Sequence, residues 1–164
     1  MNFVKKGDIV FLQGKGFISR IVRFFDGGGK FSHVAIAVSD TRVIEADIGT
    51  RVSVRPFERN NYNIIEVVDL GLSINKRREV VNSAMKMIGV KYDYVQLIWY
   101  GLKRLFKVKG KNRLNNPKYV ICSELVFIAL DEIGVLKELG INISHKEGID
   151  LSPNELYDLV KYVS

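Results

Sequence analysis

Strands come first in this chain and helices afterwards, and that order constrains its fold more than any single residue does. Short stretches rich in Val and Ile occupy 7–12, 33–38, 42–46, 52–55 and 63–70, separated by Ser, Asp, Gly and Asn turn signals. Only residues 17–25 interrupt them with an amphipathic helical pattern, Phe17, Ile18, Ile21, Val22, Phe24 and Phe25 around Arg20 and Arg23, which Asp26-Gly27-Gly28-Gly29 ends. Beyond residue 74 the apolar spacing changes to three and four. Residues 75–88 carry Val80, Val81, Ala84, Met87 and Ile88, with Gly89 as a stop, and 94–106 form a second apolar and aromatic helix. A third holds Cys122, Leu125, Val126, Ala129, Ile133 and Leu136 in one stripe. The last opens at Ser152-Pro153-Asn154-Glu155, where Ser152 caps, Pro153 suits the first turn and Glu155 completes a capping box. Strands followed by helices predict an α+β fold, helices packed on a mostly antiparallel sheet.

A chain of 164 residues, 47% hydrophobic and 26% charged, is long enough to bury a core as a single domain over residues 1–164 without metal or disulfide staples. The apolar run at 95–102 is far short of the roughly 18 residues that span a bilayer. The start, Met1-Asn2-Phe3-Val4-Lys5-Lys6, lacks the apolar region of a signal peptide, so a cytoplasmic location is the default, with release or export by another route left open. A net charge of +7 favours approach to an anionic polymer or membrane surface. Lys103, Arg104, Lys107, Lys109, Lys111, Arg113 and Lys118 read as a solvated basic loop, and no nucleic-acid motif accompanies them.

Cys122 is the only cysteine, so it forms no internal disulfide and is open to duty as a reactive thiol. It lies at or near a helix start, where the dipole favours a thiolate. An Asn116-Pro117 cap would instead set it inside the helix. His33 stands on a strand with Glu45 on the next: thiol, imidazole and orienting carboxylate are the parts of a nucleophilic cysteine site. Within its strand His33 shares a face with Ala35 and Ala37, small enough for a helix to approach. A hairpin loop of Ser39-Asp40-Thr41 sets Glu45 opposite Ala35 and diagonal to His33, about 7–8 Å away. Asp47 then lies opposite His33 as the reserve carboxylate. A loop of only Asp40-Thr41 turns Glu45 to the other face. Each group also has a quieter reading, Cys122 as core, His33 as a structural hydrogen-bonder and Glu45 as a solvated strand residue. His145 has loop-like neighbours and reads as surface. One cysteine and two distant histidines make no zinc spacing, and no metal or other cofactor is expected.

Taken in order, Gly7-Asp8-Ile9-Val10-Phe11, Ser32-His33-Val34-Ala35-Ile36, Val43-Ile44-Glu45-Ala46, Val90-Lys91-Tyr92-Asp93-Tyr94, Cys122-Ser123-Glu124-Leu125-Val126 and Leu151-Ser152-Pro153-Asn154-Glu155-Leu156 resemble the YiiX-like proteins. These are the circularly permuted branch of the NlpC-type, papain-like superfamily, in which the histidine precedes the cysteine. The resemblance implies a papain-like α+β fold, an antiparallel sheet or partial barrel packed against helices, with the nucleophile helix after the strands. It implies Cys122 as nucleophile, His33 as general base and Glu45 as the group that holds the imidazole ring.

With those roles the expected chemistry is thiol hydrolysis through a cysteinyl acyl-enzyme, backbone N–H groups near Cys122 stabilising the oxyanion. Tyr92 or Tyr94 can lend a hydroxyl to substrate, or pack in the core. The resemblance favours an amide bond in a small peptide, aminoacyl or cell-wall peptide substrate, the work of a cysteine peptidase or amidase. Its lecithin retinol acyltransferase branch makes a lipid acyltransferase or thioesterase the alternative. For that alternative Phe17, Ile18, Ile21, Phe24 and Phe25 with Arg20 and Arg23 would face a membrane or acyl chain, although core packing is the preferred reading of the stripe. Residues 26–30 read as a mobile rim over the cleft or as a turn. A non-enzymatic binding module that keeps the cleft stays open as a third reading.

Overall fold

The computed structural model describes residues 4–92, 119–148 and 150–162. Its sheet has the strands β1 (Ile9–Gly14), β2 (His33–Ala37), β3 (Arg42–Glu45), β4 (Ser53–Pro56) and β5 (Tyr62–Val68), all antiparallel and in the order β4-β3-β2-β1-β5. β1, flanked by β2 and β5, is covered on both faces, which explains why its sequence Ile9-Val10-Phe11-Leu12 does not alternate. One face, with Ile9, Phe11, Val34, Ile36 and Ile44, packs on the helices. The other gathers Val10, Leu12, Ala35, Ala37 and Val43 with Val4 and Phe57. The helices therefore cover the face opposite the alanines, against expectation, because the bulky Val34 and Ile36 supply the apolar area that helix packing requires.

The helices are α1 (Phe17–Phe25), α2 (Ile74–Met85), α3 (Cys122–Glu132), α4 (Val135–Glu138), α5 (His145–Gly148) and α6 (Pro153–Val160). The fold class is as the sequence predicts, α+β with an antiparallel sheet packed against helices. Three local expectations change. The helix starting at Cys122 does not run through Leu136: Gly134 takes φ 74°, a left-handed conformation open to glycine, and α4 begins anew. The second helix stops at Met85 rather than Ile88, since Gly89 and Val90 are drawn into backbone bonds with Val52 at 2.9 and 2.8 Å. The stripe of α1 is not core either. Phe17 is 73% exposed and Ile18 54%, and no described side chain of α1 joins either apolar cluster. This short helix rests on β1 beside the core rather than across the sheet.

Two short parallel strands, β6 (Lys91–Tyr92) and β7 (Tyr119–Val120), lead into α3. The expected helix at 94–106, the apolar run at 95–102, Tyr94, the Asn116-Pro117 cap and the basic residues from Lys103 to Lys118 lie outside the described residues. At the last helix the capping box forms as expected. Ser152 Oγ accepts the Glu155 N–H at 3.2 Å and Glu155 Oε2 accepts the Ser152 N–H at 2.8 Å. Among the described residues no helix is long and apolar enough to cross a membrane.

Candidate active site

The hairpin between β2 and β3 takes the register that turns Glu45 toward His33. Ile36 pairs with Ile44 and Ala37 with Val43, so the loop is Ser39-Asp40-Thr41. Glu45 Oε2 lies 2.8 Å from His33 Nε2. Both side chains are largely buried, 8% and 15% exposed. Asp47 lines the same cavity as His33 and Glu45 but is bonded to other groups, accepting the Ile48 N–H at 2.8 Å and lying 3.4 Å from Arg55 Nη1. Glu45, and not the reserve carboxylate, therefore meets the imidazole.

Cys122 is the first residue of α3 and is 5% exposed. Its thiol lies close enough to the His33 ring to act on the titration of the imidazole. With Nε2 engaged by Glu45, Nδ1 is the nitrogen left for the thiol. The cysteine also packs in the apolar cluster with Leu125, Val126 and Ala129, so burial and contact with the imidazole coexist at one residue. Ile121 at the N-cap has no side-chain acceptor to offer, and only half of a capping box is made there. Glu124 Oε2 accepts the Ile121 N–H at 3.4 Å. The N–H groups of Cys122 and Ser123 belong to the first turn, which has no intrahelical acceptor for them.

The electrostatics follow from those contacts. Burial works to lower the His33 titration, but the hydrogen bond and charge of Cys122, then those of Glu45, hold it well above the ordinary histidine value. Burial likewise works to raise Glu45. The hydrogen bond and charge of His33, with the charge of Arg55, outweigh it and keep the carboxyl below its usual value. An imidazole held in this way can take a proton from the thiol while the carboxylate supports the resulting positive charge.

His33 and Glu45 also line a cavity of about 300 Å³. Ile18 and Val22 of α1 form part of its wall, with Ile48, Tyr62 and the buried Tyr92 elsewhere around it. Tyr62 is the site feature the sequence reading missed, while Ile18 belongs to the stripe it offered as an acyl-binding surface. Tyr62 meets Gly14 across β1 and β5 where the register shifts, a juxtaposition visible only once that pairing is known. Burial, then the charges of Glu45, Asp47 and Glu58, push its phenol up to about 12, so it is a neutral donor at physiological pH.

His145 lies apart from the cavity on α5, exposed, with Nδ1 2.9 Å from Asp131 Oδ2. It is a surface residue as expected, although it opens a short helix rather than sitting in a loop. Residues 26–30 form a tied turn and are not part of the described cavity wall. Gly28 N–H bonds Arg23 O at 2.7 Å, and Gln13 Nε2 donates to Lys30 O at 2.8 Å.

No protein-family model matches this sequence, and no curated protein matches it. Among solved structures the fold is similar to that of the metalloprotein yiiX from Escherichia coli O157:H7, a DUF1105 protein. The TM-score is 0.54 and the identity 18%, over 96% of this chain and 94% of that one. At that identity the likeness shows the fold, a YiiX-like one. Among the described residues of the present chain, no group of three or more His, Cys, Asp or Glu is placed to hold a metal ion.

Proposed function

We propose that the protein is a cysteine peptidase or amidase, a thiol hydrolase that cleaves an amide bond in a small peptide, aminoacyl or cell-wall peptide substrate. The observation that carries this reading is the His33–Glu45 pair, 2.8 Å apart and lining a cavity, with the Cys122 thiol at the start of α3 close enough to act on the imidazole. Buried ion pairs are common in proteins. A pair that borders a cavity and has a thiol close to its imidazole is a candidate site.

In this mechanism His33 takes the Cys122 proton and the thiolate attacks the substrate carbonyl, forming a tetrahedral oxyanion. First-turn N–H groups of α3 are the donors available to that oxyanion, and a donor of this kind is worth about 10²–10³ in rate. The imidazolium returns its proton to the leaving amine, and a thioester remains on Cys122. Water, deprotonated by His33, then attacks the thioester; the acid product leaves, and the proton on His33 returns to Cys122 as the thiol. Glu45 holds the ring through both halves. Tyr62 and Tyr92 border the space where substrate would lie. A cavity of about 300 Å³ suits a small substrate better than a folded protein.

A second reading is favoured by one specific observation, the exposed stripe of α1. Phe17 and Ile18 face outward while Ile18 also lines the cavity, and exposed Lys15 and Arg20 flank them. Such a surface suits an anionic membrane or an acyl chain, and with it lipid acyl transfer or thioester hydrolysis.

The test is turnover by purified protein of a panel of aminoacyl amides, short peptides and lipid acyl esters, against Cys122→Ser. The proposal expects amide hydrolysis that Cys122→Ser reduces by about 10⁴-fold or more. Transfer or hydrolysis of lipid acyl groups alone would replace it with the second reading. Tight binding without turnover of either class would mark a binding module.

A further inference from the structure

Residues 151–154 touch both elements that carry the reactive pair. Ser123, the residue after Cys122, donates its buried hydroxyl to the Leu151 carbonyl at 2.6 Å. Asn154 grips the backbone of Phe31, two residues before His33. Its Oδ1 accepts the Phe31 N–H at 2.8 Å and its Nδ2 donates to the Phe31 carbonyl at 2.8 Å. Nδ2 also bonds Asp26 Oδ2. A primary amide is suited to this task because it offers an acceptor and donors side by side, matching both polar groups of one residue. Phe31 lies just outside β2, where Asn154 supplies the partner that a neighbouring strand supplies inside the sheet.

The stretch between the two grips is itself fixed. Ser152 caps α6 in a closed capping box, and Pro153 restricts the backbone at its first turn. The Tyr157 ring of the same helix packs on the Phe31 ring, centroids 4.7 Å apart. Leu151 and Asn154 are thus held at a set separation, one fastened beside the cysteine and the other beside the histidine strand.

We propose that residues 151–154 are a clamp that sets the spacing of the Cys122 thiol and the His33 imidazole, with Ser123 and Asn154 as positioning residues. The clamp rests on the reading of Cys122 and His33 as a reactive pair, and goes beyond it by assigning work to the Ser-Pro-Asn motif that the chemistry leaves unused. Neither residue touches substrate. Each acts through the element it fastens, and a displacement of about 1 Å between reacting groups costs about 10²-fold in rate.

Nuclear magnetic resonance of the ¹⁵N-labelled His33 ring reads the contact without any need for turnover. The imidazole would be titrated in the parent, Asn154→Ala, Ser123→Ala and the double variant, each with and without Cys122→Ser. Circular dichroism monitors folding. In the parent, Cys122→Ser is expected to lower the His33 titration. In folded Asn154→Ala and Ser123→Ala that response to Cys122→Ser is expected to vanish or shrink strongly. Alkylation of Cys122 slows by about tenfold in each, and the double variant is little slower than either single one, since cutting a clamp once releases it. Single variants that keep the full response, or effects that simply multiply in the double, would overturn the clamp while leaving the pair intact. A parent imidazole indifferent to Cys122→Ser would overturn the pair itself, and the clamp with it. Should Asn154→Ala fail to fold, Ser123→Ala alone decides, because it removes only one hydroxyl.

Discussion

Two clusters of buried charge sit toward opposite ends of β1, and only one of them has a thiol beside it. At one end Arg77 joins Asp8, whose side chain is almost wholly buried, and Asp69. Its Nε donates to Leu72 O at 3.0 Å and Nη1 to Lys6 O at 3.2 Å. At the other end stand Cys122, His33 and Glu45. Titrations are displaced in both clusters. Burial opposes the charge of Arg77, but bonds to Asp8 and the charges of Asp69 and Asp8 raise it, while the Gly71 N–H and Arg77 overcome burial to lower Asp69. The difference lies in what the groups can do next. Arg77 stays charged and meets its partners in a plug that does not border the described cavity, whereas His33 lines that cavity and has a thiol close to its ring. A displaced titration reports buried charge complementarity; a nucleophile and a cavity turn it into a candidate site.

The comparison breaks or sharpens under four substitutions or conditions. The largest effect is expected at the structural end. Arg77→Met leaves Asp8 buried and unpaired, and should destabilise by about 3–5 kcal/mol in denaturant unfolding. Where the variant remains folded, Cys122 should react with a small electrophile at the parental rate. A large change in that rate would show the two clusters to be coupled. Glu45→Gln comes next. It keeps the shape but removes the charge facing His33, so the imidazole titration falls and Cys122 alkylation slows by about tenfold, or ~1.4 kcal/mol. An unchanged imidazole would make Glu45 a bystander.

The pH dependence of stability follows from the two shifts. His33 is raised in the folded protein, so its contribution is full below about 6.5, the unfolded value, and is lost as pH rises through the raised one. Glu45 is lowered, so its contribution is present above about 4.5 and is lost as pH falls through the lowered one. The stability gap between the parent and a His33→Ala, Glu45→Gln double variant should be widest between those values and narrow on both sides. A gap that does not vary with pH would contradict both shifts. The smallest effect belongs to Asp47→Asn, within about 0.5 kcal/mol in stability because its pair with Arg55 is substantially exposed. Its alkylation rate should match the parent, and a loss as large as that of Glu45→Gln would give Asp47 the role of orienting carboxylate.

Much of this arrangement was legible in the sequence. Hairpin arithmetic reduced the choice to two registers, and the one with a Ser39-Asp40-Thr41 loop, which the structure adopts, turns Glu45 toward His33, because side-chain direction in a strand depends only on register. The capped start of α6 was readable because Ser152, Pro153 and Glu155 act locally. Helix lengths were less so: Gly134 and the bonds of Gly89 and Val90 to Val52 end helices whose periodicity continues past them. The exposure of Phe17 and Ile18 was not legible, since an amphipathic stripe has the same pattern whether it faces a core or lies beside one. Nor were Tyr62 at the cavity and Asn154 on Phe31. Both depend on contacts between distant segments, which no local pattern encodes.

The most direct measurement is the rate of Cys122 alkylation by a small electrophile across pH, in the parent and in folded His33→Ala. A reactive pair predicts rapid labelling at neutral pH that His33→Ala slows by about 10²-fold. Equal and slow labelling in both proteins would contradict it, leaving Cys122 as a buried structural cysteine and His33 and Glu45 as a second structural charge cluster.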